Sequence, residues 1–152
     1  MANVTSQWAK TTRPTGQPSP YTSSGLAIGR GSQTELRVKL DITEGNLGAG
    51  DVWEFLRVPE DTLVEAILLT VDDLDAGAGL TLLLKTDDGT TETTHLAANT
   101  VGQSGGTVAA GANLPRVGGA GPVTIFAEVG VAAATPQAGE ATLIVHLTRV
   151  GQ

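Results

Sequence analysis

Several residue types and patterns are missing from this sequence, and each absence excludes a class of protein. The chain contains no cysteine, which excludes disulfides, thiolate metal ligands and cysteine nucleophiles together. No apolar run approaches the roughly 20 residues of a membrane-spanning helix, and the first residues lack the apolar stretch of a signal peptide. We therefore expect a soluble chain, made in the cytoplasm, that has no membrane partner and is stabilised by packing and association.

Aromatic residues are also scarce, at 3% of the chain. The interior is therefore expected to consist of Val, Leu, Ile and Ala, with Trp53, Phe55 and Phe126 as its few large side chains. At 152 residues the chain is long enough for one domain with an independent core. An aliphatic core of this kind is typical of packed sheets.

Acidic residues are absent from the first 34 positions, and all sixteen lie in the remainder. Lys10, Arg13 and Arg30 give the first part a formal charge of +3, whereas six basic and sixteen acidic residues give the rest −10. A body of that charge repels phosphate backbones, so no nucleic-acid partner is expected. The asymmetry indicates an interaction arm attached to a globular domain.

The composition of the arm supports that division. Pro14, Pro18 and Pro20 lie close together, and residues 11–24 are almost entirely Thr, Ser, Pro, Gly and Gln, which cannot build a core. We assign residues 1–33 to an extended arm and residues 34–152 to the folded domain. The candidates for contact with another subunit or surface are the large apolar and cationic side chains of the arm: Trp8, Lys10, Arg13, Tyr21, Leu26, Ile28 and Arg30.

The domain reads as strands separated by Gly- and Asp-containing turns, and no helix is predicted with security. The expected strands are residues 34–41, 51–58, 63–71, 80–85, 91–97, 123–131 and 141–150, most of which alternate apolar and polar residues with a period of two. The Asp87-Asp88-Gly89 turn predicts a hairpin. The glycine-rich segment 99–121 is expected to be a long loop or a weak edge. We predict an all-β fold, a jelly-roll or Greek-key-like β-sandwich or barrel with an extended N-terminal arm.

Two of the predicted strands contain more apolar residues than a strand with one buried face needs. Residues 63–71 form a nearly continuous apolar run, which predicts a buried central strand. In the last strand Ile144 and Val150 lie opposite Leu143, Val145 and Leu147, so both of its faces are partly apolar. Such a strand is expected to be covered on both faces, and oligomerisation is the simpler source of that cover.

Three aspartates in one turn, Asp72, Asp73 and Asp75, could in principle hold a hard cation such as calcium. The spacing of an EF-hand is absent, and Asp and Gly are the residues that any tight turn prefers. We therefore interpret the segment as a turn and assign no metal or cofactor.

No group of residues predicts catalysis. His95 and His146 are the two histidines, and no nucleophile elbow accompanies them; Ser104 has neighbouring glycines at the wrong spacing. Glu65 and Glu54 are the acids nearest to apolar segments, and we interpret Glu65 as an outward-facing residue. No catalytic residue is assigned, and the chain is not expected to be an enzyme.

Five blocks of the chain form a recognisable pattern: GDVWEFLRVP at 50–59, the apolar strand 63–71, DDLDAGAGLTL at 72–82, NTVGQSGG at 99–106 and AGEATLIVHL at 138–147. Together they resemble a family of small capsid-associated proteins of tailed bacteriophages. The resemblance implies a decoration, or cement, protein: a β-rich homotrimer on the outer surface of the virion capsid at local threefold positions. In that role it would bind the lattice of the major capsid protein and reinforce it, and its arm would engage neighbours. The arm and segment 99–121 are the expected capsid-facing parts.

Two other classes remain open. One is a different virion role for the same sandwich, such as a head fibre or a tail-associated adaptor. The other is a carbohydrate-binding or adhesion module, although such modules usually present aromatic side chains for stacking on sugars and this chain has few.

Overall fold

The fold is a sandwich of two β-sheets. The computed structural model describes residues 3–5, 33–60, 62–110, 116–117 and 122–149, and the remaining residues lie outside the description. The strands are β1 (Asn3–Thr5), β2 (Gln33–Ile42), β3 (Val52–Val58), β4 (Thr62–Val71), β5 (Thr81–Asp87), β6 (Glu92–Asn99), β7 (Gly106–Ala109), β8 (Arg116–Val117), β9 (Val123–Val131) and β10 (Gly139–Arg149). Two single turns of 3₁₀ helix, Glu44–Asn46 and Val101–Gln103, interrupt the loops. Within the described residues, neither turn is long or apolar enough to cross a membrane.

The strand order confirms the predicted fold class. Sheet A has the order β1-β3-β9-β5-β6, and sheet B has the order β2-β10-β4-β7, with β8 also paired to β4. All pairings are antiparallel except that of β1 with β3. From β2 to β5 the chain changes sheet at every connection, so strands that follow one another in sequence lie in opposite sheets of the β-sandwich.

Alternation along the strands places one apolar row between the sheets. In β2 the side chains of Val38, Leu40 and Ile42 are buried, while the charged residues between them are exposed. The same rule buries every second residue of β10 from Ala141 to Leu147. Each fully buried aliphatic side chain contributes about 1.5–3 kcal/mol of hydrophobic free energy, so these rows hold the two sheets together.

A bulge in β3 adds large side chains to the core. The register with β9 shifts between Glu54 and Leu56, so that Phe55 and Leu56 are both buried although they are consecutive. Trp53 is also fully buried and fills the same core.

Phe126 is buried, as predicted, although it lies outside the apolar cluster between the two sheets. Its neighbours Ile125 and Ala127 face the core, so the ring points to the outer side of sheet A, where it is still only 5% exposed. In the sheet it lies between Glu54 of β3 and Lys85 of β5. Strand alternation decides the direction of this ring, and its aromatic character does not override it.

The apolar strand 63–71 is central, as predicted, but only one of its faces is fully buried. β4 lies between β10 and β7, and residues such as Leu63 and Leu68 on its outer side are half-buried. Ile144 of β10 is opposite Leu68 and is half-buried as well, while Val150 lies outside the described residues. The cover expected over this face therefore stays a prediction.

The described part of segment 99–121 forms a weak edge, which is one of the two forms predicted for it. Its β7 strand pairs with Leu68–Val71 of β4 at the edge of sheet B, and β8 adds two residues beside Thr62 and Leu63. Residues 111–115 and 118–121 lie outside the description.

Candidate functional site

One end of the sandwich is formed by four loops that are bonded to one another. The loops are residues 43–51, 72–80, 100–105 and 132–138, and together we call them the braced end. They meet because successive strands run in opposite directions, so every second connection returns to the same end. The described residues of the β3–β4 and β5–β6 connections, 59–60 and 88–91, lie at the opposite end.

The centre of the braced end is the carboxylate of Asp75, which is 1% exposed. Its Oδ1 accepts hydrogen bonds from the backbone N–H of Gly77 at 2.9 Å and of Thr135 at 2.7 Å. Its Oδ2 accepts from the N–H of Gly79, of Leu80 at 2.7 Å and of Ala134 at 3.1 Å. One side chain thus satisfies five backbone donors from two loops that would otherwise lack partners.

The same donors control the ionisation of this group. Burial alone would raise the pKa of Asp75, but the N–H groups of Thr135, Leu80, Gly77 and Ala134 favour the charged form and hold the pKa well below its usual range. The carboxylate is therefore ionised at neutral pH without a cation beside it.

The other two aspartates of this turn face different partners. Asp72 Oδ2 accepts from the N–H of Glu140 at 2.8 Å, and the N–H of Asp72 donates back to the Glu140 carbonyl at 2.9 Å. Asp73 Oδ1 accepts a longer bond, 3.3 Å, from the N–H of Asp75. Because each carboxylate is directed at a different stretch of backbone, the described residues bring no three acidic or histidine side chains together as metal ligands. The three aspartates fasten loops.

Loop 43–51 is bonded to loop 132–138 by the N–H of Ala133, which donates to the Leu47 carbonyl at 3.0 Å, and Trp53 and Asp51 fix its own shape. The indole Nε1 of Trp53 donates to the carbonyl of Asn46 at 3.0 Å, and Asp51 Oδ2 accepts from the N–H of Gly48 at 2.8 Å. Backbone bonds then connect the loop to β9, from Val129 N to the Asp51 carbonyl and from Gly50 N to the Val129 carbonyl. The result is a surface with little conformational freedom to lose on binding.

Around loop 132–138 the exposed surface of the braced end consists of small or uncharged residues, next to Val131 at the end of β9. Val131 is 54% exposed, and it is the one large hydrophobic side chain that is exposed among the described residues. Its exposed neighbours along the chain are Ala132, Ala134, Thr135, Pro136, Gln137 and Ala138. Sequence reasoning missed this surface, because Val131 reads as the last residue of an ordinary alternating strand.

The outer face of sheet A carries charged side chains, unlike the surface around Val131. Lys85 Nζ lies 2.8 Å from Glu128 Oε2 and 3.7 Å from Glu92 Oε2, and these carboxylates raise the pKa of Lys85. Arg57 is half-buried on the same face, and its Nε has no hydrogen-bond partner within the described residues. The face is a charged sheet surface.

The residues considered for catalysis are separated by the fold. His95 of β6 is bonded through Nε2 to Thr86 Oγ1 at 2.7 Å in sheet A, whereas His146 of β10 lies 3.5 Å from Glu35 Oε2 on sheet B. Ser104 is exposed near β7, and Glu65 is exposed at the bulge of β4, as its outward assignment predicted. These groups do not converge on a shared reaction centre.

The arm residues proposed for contacts, from Trp8 to Arg30, lie outside the described residues. The structure does describe a short strand near the start of that region: Asn3–Thr5 form β1, which pairs in parallel with Val52–Glu54.

Two chains from phage capsid structures have a fold similar to this one. No protein-family model and no curated protein matches the sequence. A chain of the capsid of Ralstonia phage GP4 superimposes with a TM-score of 0.72 over 99% of this chain and 100% of its own length, at 25% sequence identity. A chain of the Cyanophage Pam1 capsid asymmetric unit aligns with a TM-score of 0.60 over 78% of this chain and 85% of its own, at 24% identity. The second likeness is one of fold, and the first extends over nearly the whole of both chains.

Proposed function

We propose that this chain is a structural virion protein that binds the outer surface of a phage capsid as a homotrimer and stabilises the shell. The observation that carries the proposal is the match to a chain of the Ralstonia phage GP4 capsid over 99% of this chain. The Cyanophage Pam1 capsid chain supports it at the level of fold. The resemblance of the sequence to capsid decoration proteins is an independent argument for the same role.

The geometry suits a role that depends on contact. The sandwich presents a rigid braced end, with Val131 exposed on it, and offers no convergent catalytic group among the described residues. A small domain of this kind acts through repetition, because a trimer that touches several shell subunits combines weak contacts at a high effective concentration. Binding that prefers the assembled lattice then stabilises that lattice by linkage.

Contacts with the shell are proposed for the surface around Val131 and for two further regions. The arm residues Trp8, Lys10, Arg13, Tyr21, Leu26, Ile28 and Arg30 offer apolar anchors and positive charge. Segment 99–121 starts at the braced end with the turn Val101–Gln103 and continues along the edge of sheet B, so it can contribute at that end and at that edge.

The test is to mix purified protein with undecorated heads and image them by electron microscopy. We expect regularly spaced density at local threefold positions, and a higher temperature of shell disruption than in bare heads. Val131→Asp should reduce occupancy without lowering the melting temperature of the free protein, whereas Thr93→Asp, at an exposed position on β6, should bind like wild type. Density at a single vertex or on the tail would contradict the decoration role and support a fibre or adaptor.

A carbohydrate-binding role is less well supported. Sugar-binding modules use exposed aromatic faces, but the aromatic side chains in the described part of the chain, Trp53, Phe55 and Phe126, are all buried.

A further inference from the structure

The short strand β1 forms one edge of sheet A, and a long connection joins it to β2. β1 consists of three residues, Asn3, Val4 and Thr5, whose partners in β3 are Val52, Trp53 and Glu54. The pairing is parallel, and within the described residues no other strand lies on that edge of β3. The edge therefore accepts a short added strand, as in strand-addition binding.

The connection between β1 and β2 is longer than pairing within one subunit requires. It comprises residues 6–32, which is 27 residues between Thr5 and Gln33, and it can span up to about 90 Å when extended. Within the subunit its two ends are separated by at most one β2 length and the gap between the sheets, about 45 Å in total. About half of the reach is surplus. A sheet of five strands is about 24 Å wide, so a second copy placed beside this one would lie within the surplus length of the connection.

Charge and strand length both make the pairing exchangeable. Residues 6–32 carry Lys10, Arg13 and Arg30 and no acidic side chain, so the acidic body of a neighbour attracts them as well as their own does. A three-residue strand forms few ladder bonds, and these bonds are the same whether β1 comes from the same copy or another. Which copy supplies it is then decided by effective concentration, which rises when subunits are held side by side.

We propose that the β3 edge is a strand-exchange slot in which Asn3–Thr5 of one copy pair with Val52–Glu54 of a neighbouring copy in the assembled protein. The partner is a second copy of this chain, and exchange around a ring links the subunits of one oligomer. The inference rests on the proposed function only in that decoration of a shell holds the copies close together.

The absence of native cysteine makes a direct test possible. Two single variants, Thr5→Cys and Glu54→Cys, are mixed as full chains, refolded together and oxidised, both free and on heads. A disulfide between the two variants can form only if the strand of one copy pairs with β3 of another. We expect this mixed disulfide at a yield at least about tenfold above that of a Thr5→Cys and Thr93→Cys mixture, since β6 lies at the opposite edge of sheet A.

Each outcome is informative. A mixed disulfide supports exchange, and so does the same result with Asn3→Cys and Val52→Cys, a second pair in the same register. If the mixture gives none while the Thr5→Cys/Glu54→Cys double variant closes a disulfide within one chain, the strand stays in its own subunit and the proposal is overturned. A yield equal to that of the control pair, or strong disulfides in either single variant alone, also overturns it. Head binding is measured in the same samples by co-sedimentation. A failure to bind heads would contradict the proposed function, whereas the disulfide pattern of the free protein tests strand exchange by itself.

Discussion

The carboxylate of Asp75 accepts a 2.7 Å hydrogen bond from the backbone N–H of Thr135, sixty residues further along the chain. This bond, with the one from Ala134, joins the loop after β4 to the loop after β9. A single side chain thus connects loops that lead into both sheets.

Replacing Asp75 by Asn should destabilise the sandwich strongly. The amide would direct an NH₂ group at backbone N–H donors, which leaves some of the five without an acceptor. We expect the melting temperature to fall by more than about 5 °C in calorimetry. Asp73→Asn is the matched control, because Asp73 accepts only the 3.3 Å bond, and an equal loss in both variants would contradict the bracing role.

The same group predicts an acid limit to stability. The folded-state pKa of Asp75 is lowered, so its contribution is fully present above the ordinary pKa of about 3.8 and is lost as pH falls through the folded value. Asp88 acts in the same direction, since the N–H groups of Thr91 and Thr90 lower its pKa. Thermal melts of wild type should therefore decline below about pH 4, and Asp75→Asn should flatten that decline. An identical pH profile for the two proteins would refute the assignment.

Gly77 allows the close approach of the two braced loops. A Cβ atom at this position would lie 2.7 Å from Cβ of Ala134 and 2.8 Å from Oγ1 of Thr135, so Gly77→Ala forces the loops apart. We expect a loss of about 1–3 kcal/mol in urea unfolding. Gly45→Ala is the control, because its added Cβ would meet only Thr43 Oγ1, at 3.8 Å, and it should change stability much less.

Neighbouring residues of β10 test the orientation of that strand. Leu143 is fully buried between the sheets, so Leu143→Ala should cost about 2–5 kcal/mol of unfolding free energy. Ile144 lies on the half-buried outer side of sheet B, and Ile144→Ala should cost less than half as much in urea unfolding of the isolated subunit. Equal losses would mean that the outer face is covered within the subunit.

Removal of residues 1–32, which leaves β2 intact, tests the arm. We expect a lower melting temperature and a smaller solution mass by light scattering, because the deletion removes β1 and the three basic side chains Lys10, Arg13 and Arg30. A variant with Lys10, Arg13 and Arg30 changed to Gln retains the length and separates charge from strand pairing. An unchanged mass and melting temperature on deletion would show that the arm serves another contact.

Local pattern alone was enough to predict most of the strands. Period-two alternation located β2, β3, β5, β9 and β10 to within a few residues, since a strand with one buried face must alternate. Asp87, Asp88 and Gly89 predicted the hairpin correctly: Gly89 has a φ of 91°, and the two carboxylates accept the N–H groups of Gly89, Thr90 and Thr91. These features depend on residues close together in the sequence.

The tertiary structure decided what depends on distant residues. Asp75 reads as an ordinary turn residue, and its role follows only from the positions of Ala134 and Thr135, which the return of β9 brings beside it. The bulge that buries both Phe55 and Leu56 follows from packing against β9, which the alternation of β3 does not encode. The sequence by itself determined that the chain is a β-sandwich, because alternation and turns are local; the braced end and the slot beside β3 depend on which strands become neighbours, and only the assembled sheets decide that.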